Sequence, residues 1–281
     1  MTTTQAWLDG RLVALDDARV SVLDHGLVVG DGVFETLRVY GGVPFAWTRH
    51  HQRLSTSAAA IGLSLPSEDE LRAAAEAVLT ANELREARLR ITVTGGIAPP
   101  GSGRGDGPPT TFVLAFPFEP AAPTVDVVIA PWTRNEHGAL AGLKTISYAA
   151  NVRALAYAQE WGAGEAIFAN TQGNLCEATG SNVFVVVGAE LVTPPASAGC
   201  LLGVTRALLL DLARDAGVPA SERDLPIGAL IDADELFLSS STREVQPIAH
   251  IDRRAVRTVG GPVSTCLAEA FRALVARDLD P

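Results

Sequence analysis

The chain has 281 residues, of which 47% are hydrophobic and 19% charged, a composition typical of folded globular proteins and not of disordered ones. Its net charge of −10 argues against a surface for nucleic acid or for an anionic membrane. No run of residues approaches the roughly 20 apolar residues of a membrane span, and the histidines show no metal-binding spacing. We therefore expect no nucleic-acid partner, no membrane contact and no metal site.

The cysteines and the first residues of the sequence indicate the cellular compartment that we expect. The sequence has three cysteines and no CxxC motif, so a disulfide framework is not expected. The first residues, MTTTQAWLDG, lack the basic and then apolar order of a secretory signal. Both observations favour a reducing, cytoplasmic environment.

Strand and turn patterns dominate the first part of the chain. Asp9–Gly10 and Gly41–Gly42 are predicted to be the turns of two β-hairpins. Ser67 followed by Glu70 forms a capping box, which predicts a helix that continues to about Asn82. Two further segments show the alternation of apolar and other residues that is typical of β-strands, ARLRITVTG and TTFVLAFPF.

A loop-rich region then separates two predicted domains. Residues 95–109 contain six glycines and four prolines, and residues 117–123 add three more prolines. We place a small N-terminal α/β domain at 1–120 and a larger C-terminal domain at 121–281. The second domain is predicted to contain the strands VDVVIA, GEAIFA, SNVFVVVG and DELFLSS and helices over 146–161, 203–217 and 262–279. The predicted fold class is mixed α/β or α+β.

Lys144 is the first candidate for chemistry, because it is the only lysine among the 22 basic residues. Its neighbours Leu143 and Ile146 would partly desolvate the amine, and a desolvated amine is a better nucleophile and base. The alternative is an ordinary solvated surface lysine. We expect the C-terminal domain to carry this residue.

Three other features suggest what the amine would bind. Residues 203–205 begin a predicted helix, where free amides and the hydroxyl of Thr205 would bind a phosphate. Residues 239–242 place hydroxyl side chains after a strand and would form a second anion site. Glu177 lies among small residues, and a buried acid needs a partner. An ordinary helix terminus and a polar turn are the alternatives for the first two. Together, an amine, an anion site and an acid are what pyridoxal 5′-phosphate (PLP) requires.

Nearly the whole chain resembles the class IV aminotransferases, which are fold-type IV PLP enzymes. The resemblance extends from GDGVFETLRVYGG at 30–42 to STREVQPI at 241–248, and its most specific segments are CEATGSNVF at 176–184 and LLGVTR at 201–206. The family includes branched-chain aminotransferases, D-amino acid aminotransferases and 4-amino-4-deoxychorismate lyases. The resemblance implies PLP as cofactor, a two-domain fold like that of D-amino acid aminotransferases, a small-molecule amino substrate and a homodimer.

The resemblance also assigns roles to individual positions. Lys144 would form the Schiff base with PLP, Glu177 would pair with the pyridine nitrogen, and Leu201 would pack on the ring. The phosphate would be bound by Val204, Thr205 and Arg53, with Ser240 and Ser241 at the second anion site. A helix-surface charge is the alternative for Arg53.

Within the family, individual positions most resemble those of 4-amino-4-deoxychorismate lyase, which makes 4-aminobenzoate and pyruvate for folate biosynthesis. Thr36 matches a threonine of these lyases, whereas Phe34 stands where D-amino acid aminotransferases have a tyrosine. Tyr148 follows the lysine by four positions and not by the five of branched-chain enzymes. We expect Lys144 and Thr36 to be catalytic and Phe34, Tyr148 and Arg104 to contact substrate, although Arg104 could equally be a solvated loop charge.

Two other functions remain open. One is a class IV aminotransferase that acts on D-amino acids, branched-chain amino acids or amines, which would differ by requiring a 2-oxo acid as second substrate. The other is a cofactor-free binding protein, against which the complete set of Lys144, Glu177, Arg53 and Thr205 argues.

Overall fold

Two β-sheets organise the chain in the computed structural model, which describes residues 4–281. The described residues form two compact units. The first comprises the described residues up to Glu119 together with Leu143–Tyr148 and Leu279–Pro281, and the second comprises Pro120–Gly142 and Ala149–Asp278. Each unit combines one sheet with helices, so the predicted mixed α/β or α+β class is confirmed.

The first unit contains an antiparallel six-stranded sheet. Its strands are β1 (Gln5–Leu8), β2 (Arg11–Ala14), β3 (Gly32–Tyr40), β4 (Val43–Pro44), β5 (Ala87–Thr94) and β6 (Thr110–Pro117), in the order β2-β1-β6-β5-β3-β4. Its helices are α1 (His25–Val29), α2 (Trp47–Ala60) and α3 (Glu68–Ala81).

Side chains along β3 alternate between an apolar face and a second face of this sheet. Val33, Leu37 and Val39 join the apolar core with residues of α2 and α3. Because successive side chains of a strand point to opposite faces, Phe34 and Thr36 lie on the other face. That second face carries the candidate site described below.

The local predictions for this unit are largely confirmed. Both predicted hairpins form, and Gly41–Gly42 turns with φ of 60° and 95°, the left-handed conformation that a two-residue hairpin turn requires. Ser67 caps α3 by accepting a hydrogen bond from the Glu70 amide at 3.2 Å. Helix α2 was not predicted, since its N-cap residue is Ala46, which has no capping side chain.

The second unit contains a nine-stranded sheet. Its strands are β7 (Val125–Ile129), β8 (Glu165–Ala169), β9 (Leu175–Ala178), β10 (Asn182–Val187), β11 (Glu190–Thr193), β12 (Ala220–Glu222), β13 (Glu235–Ser240), β14 (Glu244–Ile251) and β15 (Arg254–Ala255). Its helices are α4 (Ala149–Glu160), α5 (Val204–Asp215) and α6 (Pro262–Arg277). Short 3-10 helices occur at Leu15–Asp17 in the first unit and at Ala196–Ala198 and Ile227–Leu230 in the second.

The order of this second sheet is β12-β11-β10-β13-β14-β7-β8-β9, with β15 attached to β14. Strand β9 ends in a tight turn that leads directly into β10, closed by a hydrogen bond from the Ala178 amide to the Ser181 carbonyl. Consecutive strands far apart in the sheet order can be joined this tightly only if the sheet curls on itself. One face of the sheet holds an apolar core that includes Val127, Ile167 and Leu236.

The lysine segment differs from the sequence-based expectation. Residues Leu143–Tyr148 pack with the first unit and not with the second. The reason is that their main chain pairs with β3, which no local pattern in the sequence indicates. Among the described residues, no helix is long and apolar enough to span a membrane.

Candidate active site

Lys144 lies in a segment that pairs with the beginning of β3. The Phe34 amide donates to the Lys144 carbonyl at 3.1 Å, and the Ile146 amide donates to the Gly32 carbonyl at 3.0 Å. The Lys144 amide in turn donates to Ser57 Oγ of α2 at 3.1 Å. The main chain on both sides of the lysine is therefore fixed by β3 and α2.

Gly32 permits this pairing. A Cβ atom at Gly32 would lie 2.7 Å from the Val93 carbonyl oxygen and 2.9 Å from Ile146 Cδ1. Both distances are shorter than packed atoms tolerate, so a larger residue at this position would push the lysine segment away from the strand.

Phe34 brings three other side chains together. Lys144 Nζ lies 4.4 Å from the centre of the Phe34 ring, and the Arg90 guanidinium carbon lies 3.8 Å from it. The Tyr148 ring packs edge-on against the same ring, with 5.3 Å between the ring centres. The structure thus places the predicted substrate residues Phe34 and Tyr148 beside Lys144, and it adds Arg90.

No pattern in the sequence singles out Arg90. Its Nε donates to Thr92 Oγ1 at 3.1 Å, but within residues 4–281 no carboxylate pairs with its guanidinium. Burial lowers the pKa of Arg90, yet an arginine stays charged at neutral pH. A half-buried cation beside the lysine is suited to pair with an anionic group of a ligand.

Thr36 lies on the same face of the sheet as Phe34. It stands directly opposite Arg90 in the register of β3 and β5 and is half-buried. This register is the signal that could have revealed Arg90, because an arginine across from a candidate threonine shares its face. The catalytic role predicted for Thr36 remains a prediction.

Arg53, predicted to bind phosphate, engages a buried carboxylate. Its Nε and Nη2 donate to the two carboxylate oxygens of Glu35, each at 2.7 Å. His50 Nδ1 lies 2.7 Å from Glu35 Oε2. Burial alone would raise the pKa of Glu35, but the charge and hydrogen bonds of Arg53 outweigh it and hold that pKa well below the usual range. Since burial lowers the pKa of His50, the neutral ring donates its Nδ1 proton to the carboxylate.

Arg104, predicted as a possible substrate ligand, instead anchors its own loop. It donates to both oxygens of Asp31, at 2.6 and 2.5 Å, and to the Gly62 carbonyl at 2.5 Å. His25 adds contacts to Asp31 Oδ2 and to the Gly101 carbonyl, both at 3.0 Å. The hydrogen bonds from Arg104 lower the pKa of Asp31 and keep it ionised. Arg104 thus pairs with a carboxylate of its own unit, and the substrate contact predicted for it remains a prediction.

Glu177 lies on β9 in the second unit and is half-buried. Its Oε2 accepts a hydrogen bond from the Leu201 amide at 2.9 Å. Its Oε1 lies 3.4 Å from Nε of Arg134, whose guanidinium stacks over Phe168. Both contacts suit an ionised carboxylate, which is the form that would pair with a protonated pyridine nitrogen.

The segment Leu201–Gly203 leads from that contact into helix α5. Asn182 Nδ2 donates to the Leu201 carbonyl at 2.7 Å, and a Cβ atom at Gly203 would lie 2.1 Å from Asn182 Oδ1. Gly203 is the N-cap residue and provides no side-chain cap. The amides of Val204 and Thr205, in the first turn of the helix, can therefore donate hydrogen bonds to a phosphate.

A buried hydroxyl lies near this helix terminus. Ser239 stands opposite Asn182 in the register of β10 and β13, so both side chains share the face that meets Gly203. Ser239 Oγ is buried and has no hydrogen-bond partner among residues 4–281. The predicted Ser240 accepts a hydrogen bond from the Arg243 amide at 3.2 Å, and Ser241 beside it is half-buried. An orphaned hydroxyl, a glycine cradle and free helical amides fit a phosphate group.

A family model for amino-transferase class IV matches residues 32–251. The "Putative branched-chain-amino-acid aminotransferase" of Methanocaldococcus jannaschii is 35% identical over 95% of this chain and 94% of its own length. A D-alanine aminotransferase of Listeria monocytogenes is 32% identical over 94% of this chain and 93% of its own length.

Solved structures agree with this assignment. The Escherichia coli branched-chain amino acid aminotransferase matches with a TM-score of 0.91 at 30% identity, over 97% of this chain and 94% of its own. A "Putative 4-amino-4-deoxychorismate lyase" of Legionella pneumophila matches with a TM-score of 0.87 at 25% identity, over 91% and 95%. Class IV aminotransferases depend on PLP, and another matching branched-chain enzyme was solved with pyridoxamine 5′-phosphate. With residues 32–251 matched and relatives similar along nearly their whole length, this chain belongs to the class IV aminotransferase family, a family of PLP-dependent enzymes of fold type IV.

Proposed function

We propose that this chain is an amino acid aminotransferase, which moves an amino group between a small amino acid and a 2-oxo acid. The observation that carries the proposal is the arrangement at Phe34, where the Lys144 amine and the Arg90 guanidinium contact one ring. Amino acids and 2-oxo acids both carry a carboxylate next to the reacting carbon. An amine with a cation beside it suits such substrates in both directions of the reaction.

Each residue of the site would have a physical role. PLP, when bound, supplies the carbonyl group that takes up the amino group and a ring that withdraws electrons. Lys144 Nζ would hold the cofactor between turnovers and would remove and return the proton at the substrate carbon that carries nitrogen. Glu177 would keep a proton on the pyridine nitrogen, and Arg90 would bind the substrate carboxylate through paired hydrogen bonds.

The names of the relatives support transfer more than elimination. Those at 35% and 32% identity are called branched-chain and D-alanine aminotransferases. The lyase predicted from the sequence has weaker support, from a structural neighbour at 25% identity. We therefore place amino transfer first and 4-amino-4-deoxychorismate lyase second. The position of Thr36 on the Lys144 face is the observation that favours the lyase.

One experiment separates the two reactions. The purified protein with PLP is given L-leucine, L-valine or D-alanine together with 2-oxoglutarate, and glutamate is measured by chiral chromatography. In a parallel sample it is given 4-amino-4-deoxychorismate without any 2-oxo acid, and 4-aminobenzoate and pyruvate are measured. We expect glutamate from at least one amino acid and no equimolar 4-aminobenzoate and pyruvate. The reverse pattern would establish the lyase.

We also infer that the chain forms a homodimer. The segment at residues 20–29 exposes several apolar side chains, of which Val22 is 79% and Leu27 is 67% exposed. Ile97, 57% exposed, lies beside this segment through a bridge to Asp24. Clustered apolar residues of this kind are typical of an interface between subunits.

Light scattering after size exclusion tests the dimer. We expect twice the subunit mass for the wild type and a shift toward the monomer for Leu27→Asp. Val152→Asp is the control, because Val152 is equally exposed, at 65%, but lies on α4 in the other unit. A monomeric wild type at micromolar concentration would contradict the inference.

A further inference from the structure

Glu35 is a fully buried carboxylate for which the proposed reaction provides no role. It lies on β3 between Phe34 and Thr36 but points to the opposite face of the sheet, where α2 packs. Its side chain is 1% exposed. Burying a charge is costly unless it is fully paired, so its partners indicate what it does.

Those partners lie on one side of helix α2. His50, Arg53 and Ser57 are spaced three and four residues apart and therefore share a helical face. His50 and Arg53 bind Glu35, while Ser57 Oγ accepts the hydrogen bond from the Lys144 amide. One helical stripe thus connects the buried carboxylate with the segment that carries the reactive lysine.

The carboxylate also restricts the orientation of the arginine. Glu35 occupies the edge of the Arg53 guanidinium formed by Nε and Nη2, with both distances at 2.7 Å. A bidentate pair of this kind fixes the plane of the guanidinium and not only its position. An anion bound by Arg53 must therefore be bound through Nη1 or through the other hydrogen on Nη2.

We propose that Glu35 is a positioning residue, which fixes the Arg53 guanidinium so that its outer edge binds the phosphate of PLP, and that His50 holds Glu35 in place. The proposal rests on the proposed PLP-dependent function and on the phosphate-binding role that the family resemblance implies for Arg53. His50 acts as the second donor to Glu35, so that the carboxylate cannot rotate away from Arg53.

Charge and orientation make opposite predictions for the loss of Glu35. If charge alone mattered, removing a negative group beside Arg53 would strengthen its attraction to a phosphate. If orientation matters more, the arginine would lose its fixed geometry and bind the phosphate less well. The direction of the change in affinity therefore distinguishes a positioning residue from a charge that merely neutralises Arg53.

The test compares PLP with pyridoxal, which has the same ring and aldehyde but no phosphate. Full-length protein is stripped of cofactor and titrated with each compound, and the absorbance of the lysine adduct gives the dissociation constants. For Glu35→Gln we expect PLP binding to weaken by about 10- to 100-fold, the size expected for a charge-assisted hydrogen bond. Pyridoxal binding should change little. A merely structural role would weaken both alike.

Three further variants complete the design. Arg53→Gln should lower the preference for PLP over pyridoxal at least as much as Glu35→Gln does. Glu86→Gln is the control, because Glu86 also pairs with a buried arginine of β3, Arg38, and not with Arg53, and it should leave the preference unchanged. Should Glu35→Gln fail to fold, Glu35→Asp keeps the charge but shortens the reach, and it should lower the preference in the same direction.

The proposal is overturned if PLP binds Glu35→Gln as tightly as the wild type or more tightly. Equal weakening for PLP and pyridoxal, or an unchanged preference in Arg53→Gln, also overturns it. A wild type that shows the expected preferences but transfers no amino group would overturn the proposed aminotransferase function and leave the role of Glu35 standing.

Discussion

Arg90 contributes a positive charge beside Lys144 that no carboxylate among the described residues neutralises. Its guanidinium is half-buried against Phe34, where water competes less for its donors. A substrate carboxylate would restore the hydrogen bonds that burial removes. The preference of the enzyme for acids over simple amines should therefore depend on this residue.

Replacing Arg90 tests this role. We expect Arg90→Gln to lower kcat/KM for amino acids by about 10- to 100-fold, the size of a lost charge-assisted pair, and to affect a primary amine without a carboxylate much less. Arg88→Gln is the control, because Arg88 lies two residues away on the same face of β5 but is exposed. Steady-state kinetics with both substrate classes is the measurement. An equal fall of kcat/KM for amino acids and for the amine in Arg90→Gln would contradict the role.

Single residues differed in how far the sequence could reveal them. Lys144 is conspicuous as the only lysine of the sequence, and Glu177 as an acid among small residues whose role the family resemblance then implies. Arg90 and Glu35 are one arginine and one glutamate among many, and only the register of β3 with β5 and the packing of α2 give them a role. Arg104 shows the converse, since its pairing with Asp31 is invisible in the sequence.

At the scale of elements, β3 serves both faces of its sheet. Phe34 contacts the lysine and Thr36 shares its face of the sheet, while Glu35 faces α2 and binds Arg53. A shift of this strand by one residue would exchange these two sets of side chains. The pairing of β3 with the lysine segment therefore sets the geometry of the side chains around Lys144.

Gly32→Ala tests that pairing. The new methyl group would meet the Val93 carbonyl at 2.7 Å and Ile146 Cδ1 at 2.9 Å, so we expect the lysine segment to move away and activity to fall by roughly 100-fold, as small displacements of reacting groups do. Gly228→Ala is the control, since nothing lies within 4 Å of its Cβ position. Full activity of Gly32→Ala would show that the pairing is not required.

Elements with local signals were predictable, and those defined by distant contacts were not. The hairpin turns and the capped helix α3 follow from residues within a few positions of one another. Helix α2 begins at Trp47, after an N-cap residue, Ala46, that has no capping side chain. It carries many polar side chains, several of which are partners of Glu35 and of the lysine segment. Its sequence resembles a solvated segment until those partners are known.

At the scale of the whole molecule, acid should destabilise the fold through Glu35. Its pKa lies below the usual 4.5 in the folded state, so its contribution to stability is complete above that pH and is lost as the pH falls through the lower folded value. We expect the free energy of unfolding in urea to decline below pH 4.5, and to decline less steeply in Glu35→Gln. That variant should lose about 3 kcal/mol at pH 7, because Arg53 loses the charge of its buried carboxylate partner. Equal pH profiles for the two proteins would contradict this account.

The fold class was predictable because alternating and helical patterns recur along most of the chain. The assignment of the lysine to the C-terminal domain failed, since Leu143–Tyr148 return to the first unit. A chain that leaves one unit, contributes a segment to another and returns gives no compositional signal. The turn-rich residues near 120 indicate a boundary but not which unit later segments join.

The most direct test of amino transfer is a half-reaction without an acceptor. The PLP-loaded protein is mixed with an amino acid that it uses, and the 2-oxo acid released is counted per subunit. We expect release to stop at about one equivalent, to resume when 2-oxoglutarate is added, and to be absent in Lys144→Ala, because transamination proceeds in two separate halves. Continued release without any acceptor, or normal release from Lys144→Ala, would contradict it.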